Sequence, residues 1–311
     1  MKGLELNRAY YLEYGAKMID SEFADVKNLL AVGSVGSGSE NFGYDDDVSR
    51  DHDFEPGFCI FLPKGFDERR AFALERAYAK LPKEFMGVTR QKISPVGGAR
   101  HGVIYTGDFY RARCGSGSGE MSVEQWFSVP DFYLAEATNG EIYFDALGEF
   151  TAARNRLLDM PEDVFLKKLA GNLLMMKQAG QYNYPRIISH GERASAQLAA
   201  FRFVEATINV VFLLNRKYKP FYKWIFKALA GLKEFSHLSP ELEFLLTTEN
   251  DDKTASIKTA LIENVCAEIA EYLKDNELSK ATCNDLEKHA YSVNDKIVDP
   301  SIRNANILTA I

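Results

Sequence analysis

The sequence has no Cys-x-x-Cys pair: its four cysteines, Cys59, Cys114, Cys266 and Cys283, are scattered along 311 residues. Isolated thiols at such spacings exclude a zinc ribbon or a disulfide framework and read as buried or neutral groups. A basic excess is missing as well. Against 44 acidic residues stand 37 basic ones, a net charge of -7. That balance argues against broad non-specific nucleic-acid binding, which rests on many lysines and arginines. Long apolar runs are absent too. The longest, Val210 to Leu214, is soon followed by Arg216 and Lys217 and falls far short of a membrane span. The opening Met1-Lys2-Gly3-Leu4-Glu5-Leu6 has no apolar signal-peptide core. A cytoplasmic location without a membrane partner is therefore the expectation. No repeat of 20 to 50 residues marks a solenoid or propeller.

What is present is an ordinary folded composition, 46% hydrophobic and 26% charged, long enough for one large or two medium domains. The periodicity predicts a helix over 7–27, a short strand at 29–32 and a second at 58–62. A helix over 67–81 follows, with an acidic first turn and Pro82 after it. Residues 101–110 read as a third strand, 114–120 as a glycine- and serine-rich loop, 123–127 and 130–137 as short helices, and 141–145 as a further strand. From Pro161 onward nearly everything reads as helix, with candidates at 161–179, 186–215, 220–231, 239–247, 254–274 and 279–289. The expected organisation is an α+β domain at 1–155, with a mixed sheet and helices, followed by an all-α domain at 156–311.

The most informative stretch runs from Gly33 to Asp53: Gly-Ser-Val-Gly-Ser-Gly-Ser-Glu-Asn-Phe-Gly-Tyr-Asp-Asp-Asp-Val-Ser-Arg-Asp-His-Asp. A Gly/Ser turn follows one predicted strand, and two aspartates one residue apart precede the next. Small residues let backbone N–H groups approach a phosphate. Residues one apart on a strand share a face, so Asp51 and Asp53 would present paired carboxylates. Such hard oxygen ligands suit Mg²⁺, which is usually held by one or two carboxylates and substrate phosphates. Plain linkers are also rich in Gly and Ser, and acidic runs such as Asp45-Asp46-Asp47 are commonly solvated or capping turns. The conjunction with flanking strands is what favours a metal–nucleotide site.

Gly38-Ser39, eleven residues, then Asp51-His52-Asp53 resembles the pattern of the nucleotidyltransferase fold shared by DNA polymerase beta and the aminoglycoside and lincosamide nucleotidyltransferases. Gly36-Ser37, with thirteen, fits equally. The block from Gly38 to Asp53 is similar to a more particular bacterial group with a nucleotidyltransferase-like first half and a helical second half. So are Asp145-Ala-Leu-Gly-Glu-Phe-Thr151, Gly180-Gln-Tyr-Asn-Tyr-Pro-Arg186 and the segment Leu214 to Trp224. The chain departs from the superfamily in having His52, not an apolar residue, between the acids.

The resemblance implies a mixed sheet with helices on one face and a Mg²⁺-dependent transfer of a nucleoside monophosphate from an NTP. Asp51 and Asp53 would hold one or two Mg²⁺ ions. Gly36, Ser37, Gly38 and Ser39 would cradle phosphates, and Asp145 or Asp108 would serve as third carboxylate. Arg50 reaches a phosphate if it lies in the loop. Lys223, in the basic-aromatic cluster of Arg216, Lys217, Lys219, Tyr222 and Trp224, could meet the triphosphate, and an aromatic neighbour could stack on the base. The same cluster also reads as a helix junction with core aromatics and surface cations. A small hydroxylated acceptor is the leading expectation. A tRNA end or a protein side chain is an alternative with the same chemistry, and a nucleotide-binding regulatory protein with an incomplete acid set is a third.

Overall fold

Two short apolar runs build the centre of the sheet. Leu30 and Val32 lie on the same face as Phe58, Ile60 and Leu62, and all five are buried in one cluster. The computed structural model describes residues 1–46, 54–90 and 100–311. Strands β1 (Ala31–Ser34), β2 (Cys59–Leu62), β5 (Gly102–Tyr105) and β6 (Glu141–Asp145) form a mixed sheet in the order β5-β2-β1-β6. β1 is antiparallel to both β2 and β6, whereas β2 and β5 run parallel. A separate two-stranded hairpin, β3 (Glu84–Phe85) and β4 (Val88–Thr89), was not legible in the sequence.

Helices α1 (Gly3–Tyr10) and α2 (Ala16–Glu22), joined by a π-helical turn at Tyr11–Gly15, cover one face with α3 (Glu68–Lys80). The opposite face is covered by α4 (Thr106–Cys114) and α7 (Glu149–Leu158): Phe61 of β2 meets Phe109 at 5.3 Å and Phe150 at 4.4 Å between ring centres. The expectation of helices on one face is thereby corrected to both. Double coverage is why β2 is buried at every residue. In the chain α4 and α7 are separated by α5 (Val123–Ser128) and α6 (Asp131–Thr138).

The predicted strand over 101–110 stops at Tyr105, where α4 begins. Phe109, Tyr110 and Cys114 are buried at helical spacing, and that burial overrides the strand preference of the aromatic residues.

The chain divides into two compact units. One comprises Met1–Gln125 and Val129–Asp159, the other Trp126–Ser128 and Met160–Ile311. The second unit is helical: α8 (Glu162–Met176), α9 (Tyr184–Ser189), α10 (Arg193–Leu214), α11 (Ile225–Leu229), α12 (Ser239–Thr247), α13 (Asp252–Asp275), α14 (Leu286–Asn294) and α15 (Pro300–Asn304). The predicted helix over 186–215 is two helices, broken at Gly191, whose φ is +76°. The one expected over 279–289 starts only at Leu286, because the Asp285 carboxylate caps it through the Glu287 N–H. α8 packs between α10 and α14. By length and hydropathy α10 could cross a membrane, but 67% of its most apolar window is buried inside the structure, as in a core helix. Two lysines in this unit are fully buried without a carboxylate partner among the described residues. Lys258 donates to Thr248 O, Gln197 Oε1 and Asn250 Oδ1, and Lys167 donates to Asn294 Oδ1 and the carbonyls of Arg303 and Ala305.

Candidate functional site

β1 ends at Ser34 and the chain turns at once through Val35, Gly36, Ser37, Gly38 and Ser39 into a 3₁₀ turn, Glu40–Phe42. Gly36 and Gly38 have φ of +99° and +121°, a region that side chains with a Cβ rarely adopt, so glycine is required at both. A buried amide network fixes the turn. Asn139 pairs with the Gly36 peptide from both sides, its Oδ1 accepting from the N–H and its Nδ2 donating to the carbonyl, each at 2.8 Å. Asn41 Nδ2 donates to the Ser37 carbonyl at 3.1 Å. Its Oδ1 accepts from Ser34 Oγ, which accepts in turn from Asn7 Nδ2, both at 2.9 Å. Asn7 Oδ1 takes the Gly57 N–H at 3.1 Å. The carbonyls of Gly36 and Ser37 are thus consumed by side-chain amides, and that of Ser39 by the N–H groups of Phe42 and Tyr44. The N–H groups of Ser37, Gly38 and Ser39 donate to no acceptor among the described residues.

Charged groups ring this end of the sheet. Arg113, near the C-terminus of α4, lies 3.9 Å over the Phe109 ring, and a Cβ on Gly36 would stand 2.7 Å from its Nη2. Burial lowers its pKa, opposed by Glu136, whose Oε2 is 3.7 Å from Nε. Glu40 is buried with Oε1 unpartnered, packed where only a glycine fits at position 38. Burial pushes its carboxyl above the usual range, against its own backbone N–H and the charges of His101 and Arg100. Asp45 caps the first helix: its Oδ2 accepts the Gly3 N–H at 3.0 Å, and Lys2 bonds its carbonyl. Of the two roles expected for that acidic run, capping holds at Asp45. His101 sits with Nδ1 3.5 Å from Glu55 Oε1.

The structure brings Gly36, Ser37, Gly38 and Ser39 into one turn. Arg50, Asp51, His52 and Asp53 lie outside the described residues. Asp145 is elsewhere. It pairs with Ala31, at the start of β1, whereas the turn follows Ser34, the partner of Glu141. At about 3.3 Å per residue the two ends of these strands are roughly 10 Å apart or more. Asp145 Oδ2 accepts the Thr151 N–H at 2.8 Å and so caps α7. Asp108 lies beyond the same far end, exposed in the first turn of α4 and paired with Arg111 at 2.5 Å. Neither acid is beside the turn. Lys223, in the second unit, is exposed in a 3₁₀ turn with its Nζ 4.9 Å over the Trp224 ring. Among the described residues no group of three or more His, Cys, Asp or Glu side chains is placed to hold a metal ion.

Sequence reasoning missed Asn139, Asn41, Arg113 and Glu40. Only proximity to the Gly/Ser turn could have flagged Asn41 and Glu40. Asn139 and Arg113 reach it from far along the chain.

A family model described as a domain of unknown function, DUF4037, matches residues 126–225. That match covers Asn139, Asp145 and Lys223 and leaves out the Gly/Ser turn. No curated protein matches the chain.

Proposed function

We propose that the first unit binds the phosphates of an NTP at the Gly36–Ser39 turn and that the protein transfers a nucleoside monophosphate to a hydroxyl of a small-molecule acceptor, releasing pyrophosphate. One observation carries this: a turn whose Gly36 and Ser37 carbonyls are occupied by Asn139 and Asn41 while three successive N–H groups, those of Ser37, Gly38 and Ser39, have no acceptor among the described residues. Fixed, unspent N–H donors bind anionic oxygens without reorganisation. Arg113, beside Gly36, adds a cation whose ring stacking and contact with Glu136 hold it in place.

Asp51 and Asp53, one residue apart in the sequence, are the residues that would hold Mg²⁺, since one or two carboxylates together with substrate phosphates are the donor set this ion takes. When bound, the ion would supply charge stabilisation on the phosphoryl oxygens. The acidic balance of the chain favours a neutral or cationic acceptor over a nucleic acid, with a tRNA end as the exception.

Incubation with each labelled NTP, Mg²⁺ and a fractionated small-molecule extract tests the reaction, and calorimetric titration of Mg-ATP tests the site. A labelled product and a saturable heat, both lost in Asp51→Asn and Asp53→Asn, are expected. Unchanged binding in those variants would remove the metal role. A second reading, nucleotide binding without catalysis, is favoured by one observation: Asp145 and Asp108 both stand at the other end of the sheet. Saturable Mg-ATP binding with no labelled product from any extract would select it.

A further inference from the structure

A second glycine- and serine-rich loop, at 115–119, takes no part in the nucleotide site proposed above. It leaves α4 and lines, through Gly117 and Ser118, a cavity of about 620 Å³ at the far end of the sheet. That volume lies within the roughly 300–1,000 Å³ of small-molecule sites. Three cations from three elements line it: Lys64 from the turn after β2, Arg111 from α4 and Arg156 from α7. Two of them are held in place. Arg111 bonds Asp108 at 2.5 Å, and Arg156 Nη1 donates to the Ser118 carbonyl at 2.9 Å. Lys64 makes no ion pair among the described residues. Asp108 and Glu149 are the acids in the wall, the first already paired with Arg111, and outside it Glu120 Oε1 lies 3.9 Å from Arg156 Nε in an exposed contact. Much of the remaining wall is apolar: Tyr105, Ala152, Ala153 and glycine backbone.

The loop is built to approach closely. A Cβ on Gly119, whose φ is +77°, would stand 2.5 Å from the Ala153 carbonyl oxygen, and one on Gly117 would stand 3.2 Å from that of Gly107. A side chain at Gly119 would clash with the backbone of α7, and one at Gly117 would need its neighbours on α4 to give by a few tenths of an ångström.

We propose that this cavity binds a small phosphomonoester. Its phosphate is met by Lys64, Arg111 and Arg156, and its apolar part lies against Tyr105, Ala152 and Ala153. A dianion engages several cations at once, and guanidinium forks match phosphate oxygens in pairs, which selects phosphate over a single carboxylate. The site is separate from the Gly36–Ser39 turn and does not depend on the reaction proposed there.

Calorimetric titration of the full chain with phenyl phosphate, and in parallel with benzoate, tests the assignment. Saturable binding of phenyl phosphate is expected, about tenfold weaker or more in Lys64→Glu and in Arg156→Gln, as for loss of one charge-assisted contact. Binding in Gly38→Val, altered at the other end of the sheet, is expected to match the unaltered chain. Lys64 is exposed, so its variant keeps the fold, and thermal unfolding checks this. No saturable binding, equal affinity for benzoate, or unchanged affinity in both charge variants would overturn the proposal. Loss of binding in a folded Gly38→Val would refute the separateness of the two sites.

Discussion

The first unit carries two loops of nearly the same composition at opposite ends of one sheet, and they are held in opposite ways. At 36–39 the carbonyls of Gly36 and Ser37 are gripped by asparagine side chains and the N–H groups of Ser37, Gly38 and Ser39 are left over. At 115–119 the loop is held by close backbone packing and by arginine, and its neighbours supply the positive charge. Gly/Ser content alone does not distinguish them. What matters is which backbone groups the fold has already used. A turn with spare N–H donors suits the non-bridging oxygens of a polyphosphate, whereas a loop walled by side-chain cations suits a compact anion.

Valine substitutions break the comparison most sharply. At Gly119 the obstacle is a backbone carbonyl 2.5 Å away, which cannot swing aside, whereas at Gly36 it is the end of the Arg113 side chain. Gly119→Val should cost about 3–4 kcal/mol and Gly36→Val about 2 kcal/mol, as strained backbone and overpacking predict. Urea unfolding midpoints give the order, and equal costs would mean that the loops are held alike. Asn139→Ala comes next. Loss of both Gly36 hydrogen bonds should cost about 2 kcal/mol and weaken Mg-ATP binding, with phenyl phosphate unaffected. Calorimetry on the two ligands separates the ends of the sheet.

Asp145→Ala should cost about 1 kcal/mol, the usual worth of a helix cap, and leave Mg-ATP affinity unchanged. A large loss of affinity would return Asp145 to the nucleotide site.

The smallest effect is a pH dependence at Glu40. Burial raises its carboxyl pKa in the folded chain, so the folded state holds a proton that the unfolded state has released. Stability therefore falls as pH rises from the ordinary carboxylate range through the raised value. Glu40→Gln should match the unaltered chain below that window and exceed it in stability above. Unfolding curves at pH 4 and pH 8 measure the difference, and a variant less stable at pH 8 would show that the charged form is favoured.

Much of this was legible in the sequence where burial follows local pattern. The apolar runs at 29–32 and 58–62 mark two strands, the acidic start and Pro82 bracket α3, and Pro161 opens the helical half. It failed where tertiary packing decides. Thr106 starts a helix because Phe109, Tyr110 and Cys114 must all face inward, although each aromatic alone favours a strand. The β3–β4 hairpin is too short for an alternation and turns on Met86 and Gly87, both with positive φ. The Gly/Ser turn itself was visible, but its support was not. Asn7 lies 27 residues from Ser34 and Asn139 lies 103 from Gly36, distances over which single residues leave no local signal. The position of Asp145 is topological: β6 runs antiparallel to β1, which carries Asp145 away from the turn.

The central claim is that the amides of Ser37, Gly38 and Ser39 bind phosphate. Titrating the ¹⁵N-labelled chain with Mg-ATP and following backbone amide resonances tests it directly. Saturable shifts at these three, with the amides of 115–119 unmoved, are the predicted result. Stationary resonances at 37–39, or shifts confined to 115–119, would contradict it.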